Sequence, residues 1–485
     1  MSWDDIIYLA CLLGCIVFGY YYRKISDVSN RKIIGTVFGL FITFVTSGLH
    51  ILHPIVSCLI CAILIIKLPK HICHIASFAF MFSYLLFFRT ATYFGLPEPP
   101  GHTNMIQMVL TLKLVGLAFE ANSAYKIGKE IKNKLSNREK IDYETKEMEE
   151  LSNLCSLKFT DIFHYAFNYI GVLTGPYYRY RTFSDYFQTA YKDHADCFQA
   201  TIDKLKWTAF YGVMFLVVSS IWPLSYATSA EFYEERSFFY RLCYVWPTFF
   251  IFRMRIYIGL TLSECVCTNA GFGAYPDMCD AASGEGPKQK SILPPEQNLE
   301  KLTYNFNTIK NIDVYETESC ITFREAMKKW NICVQYWLAV NIYKRFPNKK
   351  YRTFATLLVS AFWHGVCTGH YFCIMGAPMY LPIEDIYNKL FRGENVVGLR
   401  RKITDVIFWI SKMFSLSYLG TGFLLLTFEK ILFYCNSVYH FGYIYWAVLL
   451  AVGMFLSNQR RKTRKDKDKP LDQNSVPNNQ HIKSQ

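Results

Sequence analysis

The residues best able to do chemistry are two polar side chains in apolar company, His364 and Asn331. Residues 354–383 contain no Asp, Glu, Lys or Arg. That run is long enough to cross a bilayer as one helix. His364 lies inside it, between Trp363 and Gly365. As a continuous helix, the run puts His364 roughly 15 Å below Phe354, near the mid-depth of the hydrocarbon. An imidazole at that depth is costly and marks a functional position, unless it is a core histidine with both nitrogens bonded to neighbouring helices. Asn331 lies upstream in residues 325–345, where Trp330, Val334, Trp337 and Leu338 recur at helical spacing. This pattern predicts one amphipathic helix with the amide beside its apolar stripe.

A neutral imidazole can take the proton of an alcohol as it attacks an activated carbonyl. An amide can donate to the developing oxyanion or orient the hydroxyl. Together they point to acyl transfer onto a hydroxyl. There is no G-x-S-x-G elbow, so a covalent acyl-serine has no support, and direct attack on a thioester requires no enzyme nucleophile. A transporter or proton pathway using His364 is the competing reading. The lack of an evident internal repeat weighs against it.

The elements that must hold such a pair are membrane helices. The chain has 485 residues, 52% of them hydrophobic and 17% aromatic, with a mean hydropathy of +0.12. Its apolar residues fall in long runs without period-two alternation, which favours helices over a barrel. The expected fold class is all-α, a polytopic transmembrane bundle of about 9–11 spans. Spans are expected near residues 6–22, 33–66 (two short spans or a hairpin around His50, His53 and Pro54), 75–94, 104–120, 207–227, 238–262, 354–383, 406–428 and 441–456. The chain divides into N-terminal helices (1–125), a charged loop or surface helix (126–158), a core (159–456) and a basic tail (457–485). Arg23, Lys24, Arg31 and Lys32 place the far side of the first span in the cytosol, and the tail carries the same sign. The tail's composition predicts disorder.

The formal net charge of +14 is spread over short segments between apolar runs. That distribution fits anionic lipid or phosphate-bearing ligands and argues against nucleic acid. Two arginine pairs stand out. Arg179 and Arg181 follow a Gly175-Pro176 break among tyrosines, and Arg253 and Arg255 lie within a span. Guanidinium groups suit bidentate phosphate contact, while buried arginines also pair within the protein. His71, Cys73 and His74 make too small a cluster for a metal site, so no metal and no cofactor are expected.

Trp330, Asn331, Val334, Gln335, Trp337 and Leu338, taken with Ser360, Ala361, Phe362, Trp363, His364 and Gly365, resemble the membrane-bound O-acyltransferase family. Three further motifs look like its lysophosphatidylinositol acyltransferase branch: residues 175–182, residues 271–276, and Asn311-Ile312-Asp313 with Tyr315. The resemblance covers roughly residues 159–371. It puts the family's asparagine and histidine on Asn331 and His364, and makes Trp330 and Trp363 candidate substrate-binding neighbours. It implies an endoplasmic-reticulum enzyme with an internal tunnel. Such an enzyme moves an acyl chain from acyl-CoA, with a polyunsaturated donor such as arachidonoyl-CoA preferred, to the sn-2 hydroxyl of lysophosphatidylinositol. Another lysophospholipid head group is the alternative acceptor.

Overall fold

The computed structural model describes residues 3–137, 145–288, 296–394 and 396–467. Its first helices are α1 (Trp3–Tyr22), α2 (Val28–Ser47), α3 (Leu52–Lys67) and α4 (Cys73–Arg89). The side chain of Asp27 starts α2 by accepting from the Asn30 backbone N–H, as an N-cap should. A 3₁₀ turn at Gly48–Ile51 joins α2 to α3, where the two histidines and the proline predict a break. The long α5 (Gly101–Ser136) follows, then α6 (Thr145–Cys155), α7 (Phe159–Phe167), α8 (Tyr180–Gln188) and the one-turn α9 (Tyr191–His194). Next come α10 (Cys197–Ile221), the short α11 (Ala230–Glu234) and α12 (Phe238–Asn269).

The described residues between 270 and 313 carry short 3₁₀ turns and two minimal antiparallel ladders, Tyr275–Pro276 on Tyr304–Asn305 and Ala281–Ala282 on Gly286–Pro287. The chain then enters α13 (Val314–Ser319), α14 (Phe323–Lys329), α15 (Ile332–Leu338) and a π-helical turn at Ala339–Tyr343. It ends with α16 (Arg352–His364), α17 (Thr368–Phe391), α18 (Gly398–Leu425), α19 (Phe428–Ser437) and α20 (Phe441–Lys467).

Among the described residues, Trp3–Tyr22, Val28–Lys67, Gly101–Ser136 and Phe441–Thr463 are long and apolar enough to cross a membrane, with Cys73–Arg89 and Ile332–Tyr343 as shorter apolar segments. The helix Gly101–Ser136 differs from the other three. Its apolar window is 83% buried, against 17–33% for the others, so α5 is the axis and the others present faces to lipid. Around it pack α3, α4, α6 and α7. In a second group, α18 packs on α12 and α17, and α20 packs on α17.

Three expectations are corrected. Residues 354–383 do not form one helix, because α16 stops at His364 and α17 starts at Thr368. A charge-free run reports burial, not continuity, and a break in apolar surroundings survives where its freed backbone groups find partners. Residues 325–345 likewise do not form one helix. The chain breaks at Asn331, which adopts a left-handed conformation (φ 49°, ψ 49°). Asn is one of the few side chains that visits this region readily. The charged segment takes the helical alternative where it is described, its first part continuing α5 to Ser136 and its end forming α6. The basic tail begins as a continuation of α20 to Lys467, since Lys and Arg are good helix formers. Residues 468–485 lie outside the described residues.

Candidate active site

His364 is the last residue of α16. A helix leaves its final four carbonyls without intrahelical partners. Here all four are satisfied. The Gly365 N–H donates to Ala361 O at 3.1 Å. Arg89, from the last turn of α4, donates to Phe362 O (2.7 Å), Trp363 O (2.6 Å) and His364 O (3.2 Å). The Arg89 Nε–H donates to Asn104 Oδ1 on α5 at 2.9 Å. Gly365 follows because a Cβ there would overlap the His370 ring.

The His364 imidazole is half-buried. It lies near-perpendicular to Phe423 at 5.3 Å between centroids, and near-parallel to His370 at 6.4 Å. Among the described residues, no protein group hydrogen-bonds either ring nitrogen. A structural core histidine would have both satisfied.

Asn331 sits in the joint between α14 and α15. The turn is held from below by a buried carboxylate, Glu264. Its Oε1 accepts from the backbone N–H groups of Asn311 (2.7 Å) and Ile312 (3.3 Å), while Lys204 Nζ lies 2.5 Å from Oε2. The Ile332 N–H then donates to Asn311 O at 2.6 Å. The Gln335 amide donates to Met327 O and Trp330 O across the break. Trp330 packs on Tyr257, with centroids 5.6 Å apart. It does not join Trp337 in a stripe, because the break rotates α14 away from α15. Asn331 itself makes no side-chain hydrogen bond among the described residues, not even as a cap for α15.

The two halves share one support. Trp337 on α15 donates its indole N–H to Leu112 O at 2.9 Å. Trp363 on α16 donates to Met108 O at 3.0 Å. Those acceptors are one turn apart on α5. Gly116 keeps α5 slim at this point, since a Cβ would come within 2.6 Å of the Tyr177 hydroxyl and 3.2 Å of Trp337 Nε1. No hydrogen bond or ring contact joins Asn331 to His364 directly. The structure sets them on elements pinned to adjacent turns of the same buried helix. Trp363 spends its indole on that anchoring.

A cleft of about 570 Å³ flanks the Asn331 turn, with Glu285, Lys310, Lys329, Ile332, Gln335 and Tyr336 in its lining. Lys310 already pairs with Asp313 at 2.6 Å. Lys329 has no carboxylate within 4 Å among the described residues.

All four candidate phosphate-binding arginines face a carboxylate of this chain. Arg179 Nε lies 3.4 Å from Glu120 Oε2, and Arg181 Nε lies 3.8 Å from Asp185 Oδ2. Arg253 is only 2% exposed and forks onto Glu318, at 2.8 and 3.4 Å. Arg255 is largely exposed and reaches Asp5 at 3.1 Å. Pairing within the protein is therefore what the structure gives, and Arg253 and Arg255 leave α12 toward different partners.

Sequence reasoning misses Arg89, Glu264, Lys412 and Glu384. The signal was a charge inside or at the end of an apolar run, alone at Arg89, Glu264 and Lys412 and followed by Asp385 at Glu384. Lys412 Nζ donates to the carbonyls of Thr317 (3.3 Å), Glu318 (3.0 Å) and Cys320 (2.6 Å) at the end of α13. Glu384 accepts from the Phe323 and Arg324 N–H groups that start α14, at 2.5 and 3.1 Å.

A family model described as MBOAT, membrane-bound O-acyltransferase family, matches residues 98–425. Several curated relatives are alike over nearly their whole length. A Drosophila melanogaster protein named membrane-bound acylglycerophosphatidylinositol O-acyltransferase is 53% identical over 95% of this chain and 94% of its own. Proteins of the same name from Xenopus laevis and Homo sapiens are 36% and 35% identical. They cover 98% and 97% of this chain and 100% and 98% of their own.

Proposed function

The chain belongs to the membrane-bound O-acyltransferase family, and on that premise we propose that it transfers a fatty acyl chain from acyl-CoA to the sn-2 hydroxyl of lysophosphatidylinositol. The printed names of its relatives support the acceptor. One structural observation carries the site. Among the described residues, the His364 imidazole and the Asn331 amide have no hydrogen-bond partner, although Arg89 holds the backbone of His364, and the Ile332 N–H beside Asn331 is tied to Asn311, whose own N–H is held by Glu264. Side chains held this way are ready for a substrate.

The reaction needs no covalent enzyme intermediate. A neutral His364 accepts the proton of the acceptor hydroxyl as its oxygen attacks the thioester carbonyl. The Asn331 amide donates to the oxyanion of the tetrahedral intermediate, or orients the hydroxyl before attack. Collapse of the intermediate breaks the carbon–sulfur bond, and the departing CoA thiolate takes the proton back from the imidazolium. Phosphatidylinositol and free CoA leave.

The cleft beside Asn331 is the proposed cytosolic mouth of an internal tunnel for acyl-CoA, with Lys329 as a phosphate contact. Of the four arginines, Arg179 is best placed to assist, since it lies beside Tyr336 of the cleft. The lysolipid enters from the bilayer side, through a protein that crosses the membrane several times. A polyunsaturated acyl preference and residence in the endoplasmic reticulum complete the reading, both resting on the resemblance. A second acceptor head group is the alternative within the same chemistry.

The test is an acyl-CoA assay on membranes holding the full chain, against lysolipids with inositol, serine, choline and ethanolamine head groups. The reading expects CoA release and a new diacyl lipid with the inositol acceptor, lost in His364→Ala. Turnover confined to another head group moves the acceptor. Turnover with none, by inserted and folded protein, ends the reading.

A further inference from the structure

We propose that Arg89 is the positioning residue for His364, the group that fixes the direction and depth of the imidazole by closing the end of α16. The inference rests on the reading of His364 as the base. Arg89 lies before the region that the family model matches, at the end of α4, a helix that also stacks Phe82 on Trp337 and Phe362.

The argument begins with the backbone. Three of the four terminal carbonyls of α16 have one donor between them, the Arg89 guanidinium. Where the chain breaks among apolar side chains, an unpaired carbonyl is expensive, and a partner must come from the protein. The guanidinium is planar, and its donors leave in fixed directions. Nη1–H meets Phe362 O, Nη2–H meets Trp363 O and His364 O, and Nε–H meets Asn104 Oδ1. One rigid group therefore ties α4, α5 and the last turn of α16 together. Trp363 supplies a second tie to α5, four residues along from Asn104 at Met108.

With both ties in place, the His364 Cα and its rotamer axis have little freedom. Gly365 and the His370 ring close the other side. Among the described residues nothing bonds the ring nitrogens of His364 while its own carbonyl is bonded, so the protein fixes the backbone of this residue and leaves its imidazole for chemistry. The sign of the charge also suits the place, since a cation belongs at the carbonyl end of a helix.

Lys412 shows what lysine does in the same role. It gathers three carbonyls of α13 on a single nitrogen. A lysine at position 89 could gather carbonyls the same way. It could not also hold Asn104 through a second, rigidly linked donor.

The test compares Arg89→Lys, Arg89→Met and Asn104→Leu with the wild-type enzyme, as purified full-length protein in detergent. Monodispersity and thermal stability are checked first. Asn104→Leu keeps the cation and removes the acceptor that orients it, together with the long contact from the Asn104 amide to Met108 Sδ. kcat and KM are then measured for acyl-CoA and for lysophosphatidylinositol. A misplacement near 1 Å at a reacting group lowers turnover on the order of 10²-fold. The expected result is a kcat loss of about 10²-fold in Arg89→Met, a smaller loss in Arg89→Lys and in Asn104→Leu, and KM values within about twofold of wild type. Should Arg89→Met fail to fold, the other two variants decide. Folded Arg89→Lys and Asn104→Leu enzymes with wild-type kcat overturn the proposal, as does a change confined to KM. His364→Ala is the control. If it remains active, the base reading falls and positioning falls with it. If it is inactive beside a fully active Arg89→Lys, only positioning falls.

Discussion

The His364 end and the Asn331 end of the site are held by charges of opposite sign. At His364 the exposed backbone groups are carbonyls, and a cation, Arg89, meets them. Under Asn331 they are N–H groups, and an anion, Glu264, meets them. The same rule repeats next door. Lys412 takes the carbonyls that end α13, and Glu384 takes the N–H groups that start α14. Each of these four buried charges meets backbone groups where a helix stops or the backbone turns. The lesson is that this fold breaks its helices on purpose around the site, and matches each break with a charge of the sign that the orphaned groups require.

The two ends differ in rigidity and in what surrounds them. His364 ends a helix of 13 residues, among Trp363, His370 and Phe423. Asn331 lies in a left-handed joint between two helices of seven residues, beside an open cleft. A proton acceptor benefits from dry, fixed surroundings, while an amide that meets an arriving thioester must face the entrance.

The sharpest break of this comparison is His364→Ala. It removes the proton acceptor and leaves every backbone contact of Arg89 in place. Turnover should fall by about 10²–10⁴-fold while the protein elutes and melts like wild type. Near-normal turnover by folded protein would remove His364 from the chemistry.

Asn331 has two separable jobs, and two substitutions separate them. Asn331→Ala removes the amide and strains the left-handed joint. Asn331→Gly removes the amide and accepts the joint without strain. Both should lose about 3 kcal/mol of transition-state stabilisation, read as kcat/KM. Only the Ala variant should also melt earlier. A Gly variant with normal turnover would reduce Asn331 to a backbone role.

Gly365→Ala presses a methyl group into the His370 ring. The expected effect is a kcat loss smaller than that of His364→Ala, and His370→Ala should relieve it by making room. A double variant no better than the single one would show that the space beside His370 does not matter.

Glu264→Gln tests the other end. It weakens the acceptor for Asn311 and Ile312 and strands Lys204. Removing one partner of a buried pair is strongly destabilising, about 3–5 kcal/mol in the deepest cases; Lys204 is partly exposed, so a lesser loss is expected here. It should appear as a lower melting temperature with a modest effect on turnover. An unchanged melting temperature would mean that Glu264 does not brace the joint.

The smallest effect is expected from truncation after Asn458. Residues 459–463 are exposed, and among the described residues beyond Asn458 the hydrogen bonds to another element come from Arg460, which donates to Lys389 O and Leu390 O. Activity should stay within about twofold, as for surface changes away from packed features. Complete loss of activity in inserted protein would tie the tail to the catalytic core.

Much of the site was legible in the sequence. His364 and Asn331 stand out because a polar group in an apolar run has few bland explanations. The helices stand out because hydropathy reports burial over long windows. Arg89 was visible only as the end of a span, since nothing local links residue 89 to residue 364. The arginine pairs were misleading in one respect. A guanidinium in a span demands an anion, but the sequence cannot say whether a ligand or a distant carboxylate such as Glu318 supplies it.

What the sequence determines by itself is a membrane-embedded all-α chain, with an imidazole and an amide in its apolar runs. Those properties follow from transfer free energies, which are sums over neighbouring residues. What only the tertiary structure decides is where the helices stop, which side chain closes each break, and how His364 and Asn331 come to rest on one buried helix. Helix ends in an apolar interior are set by the hydrogen-bond partners available to the freed carbonyls and N–H groups. At His364 that partner lies 275 positions away in the chain, a distance that only the fold closes.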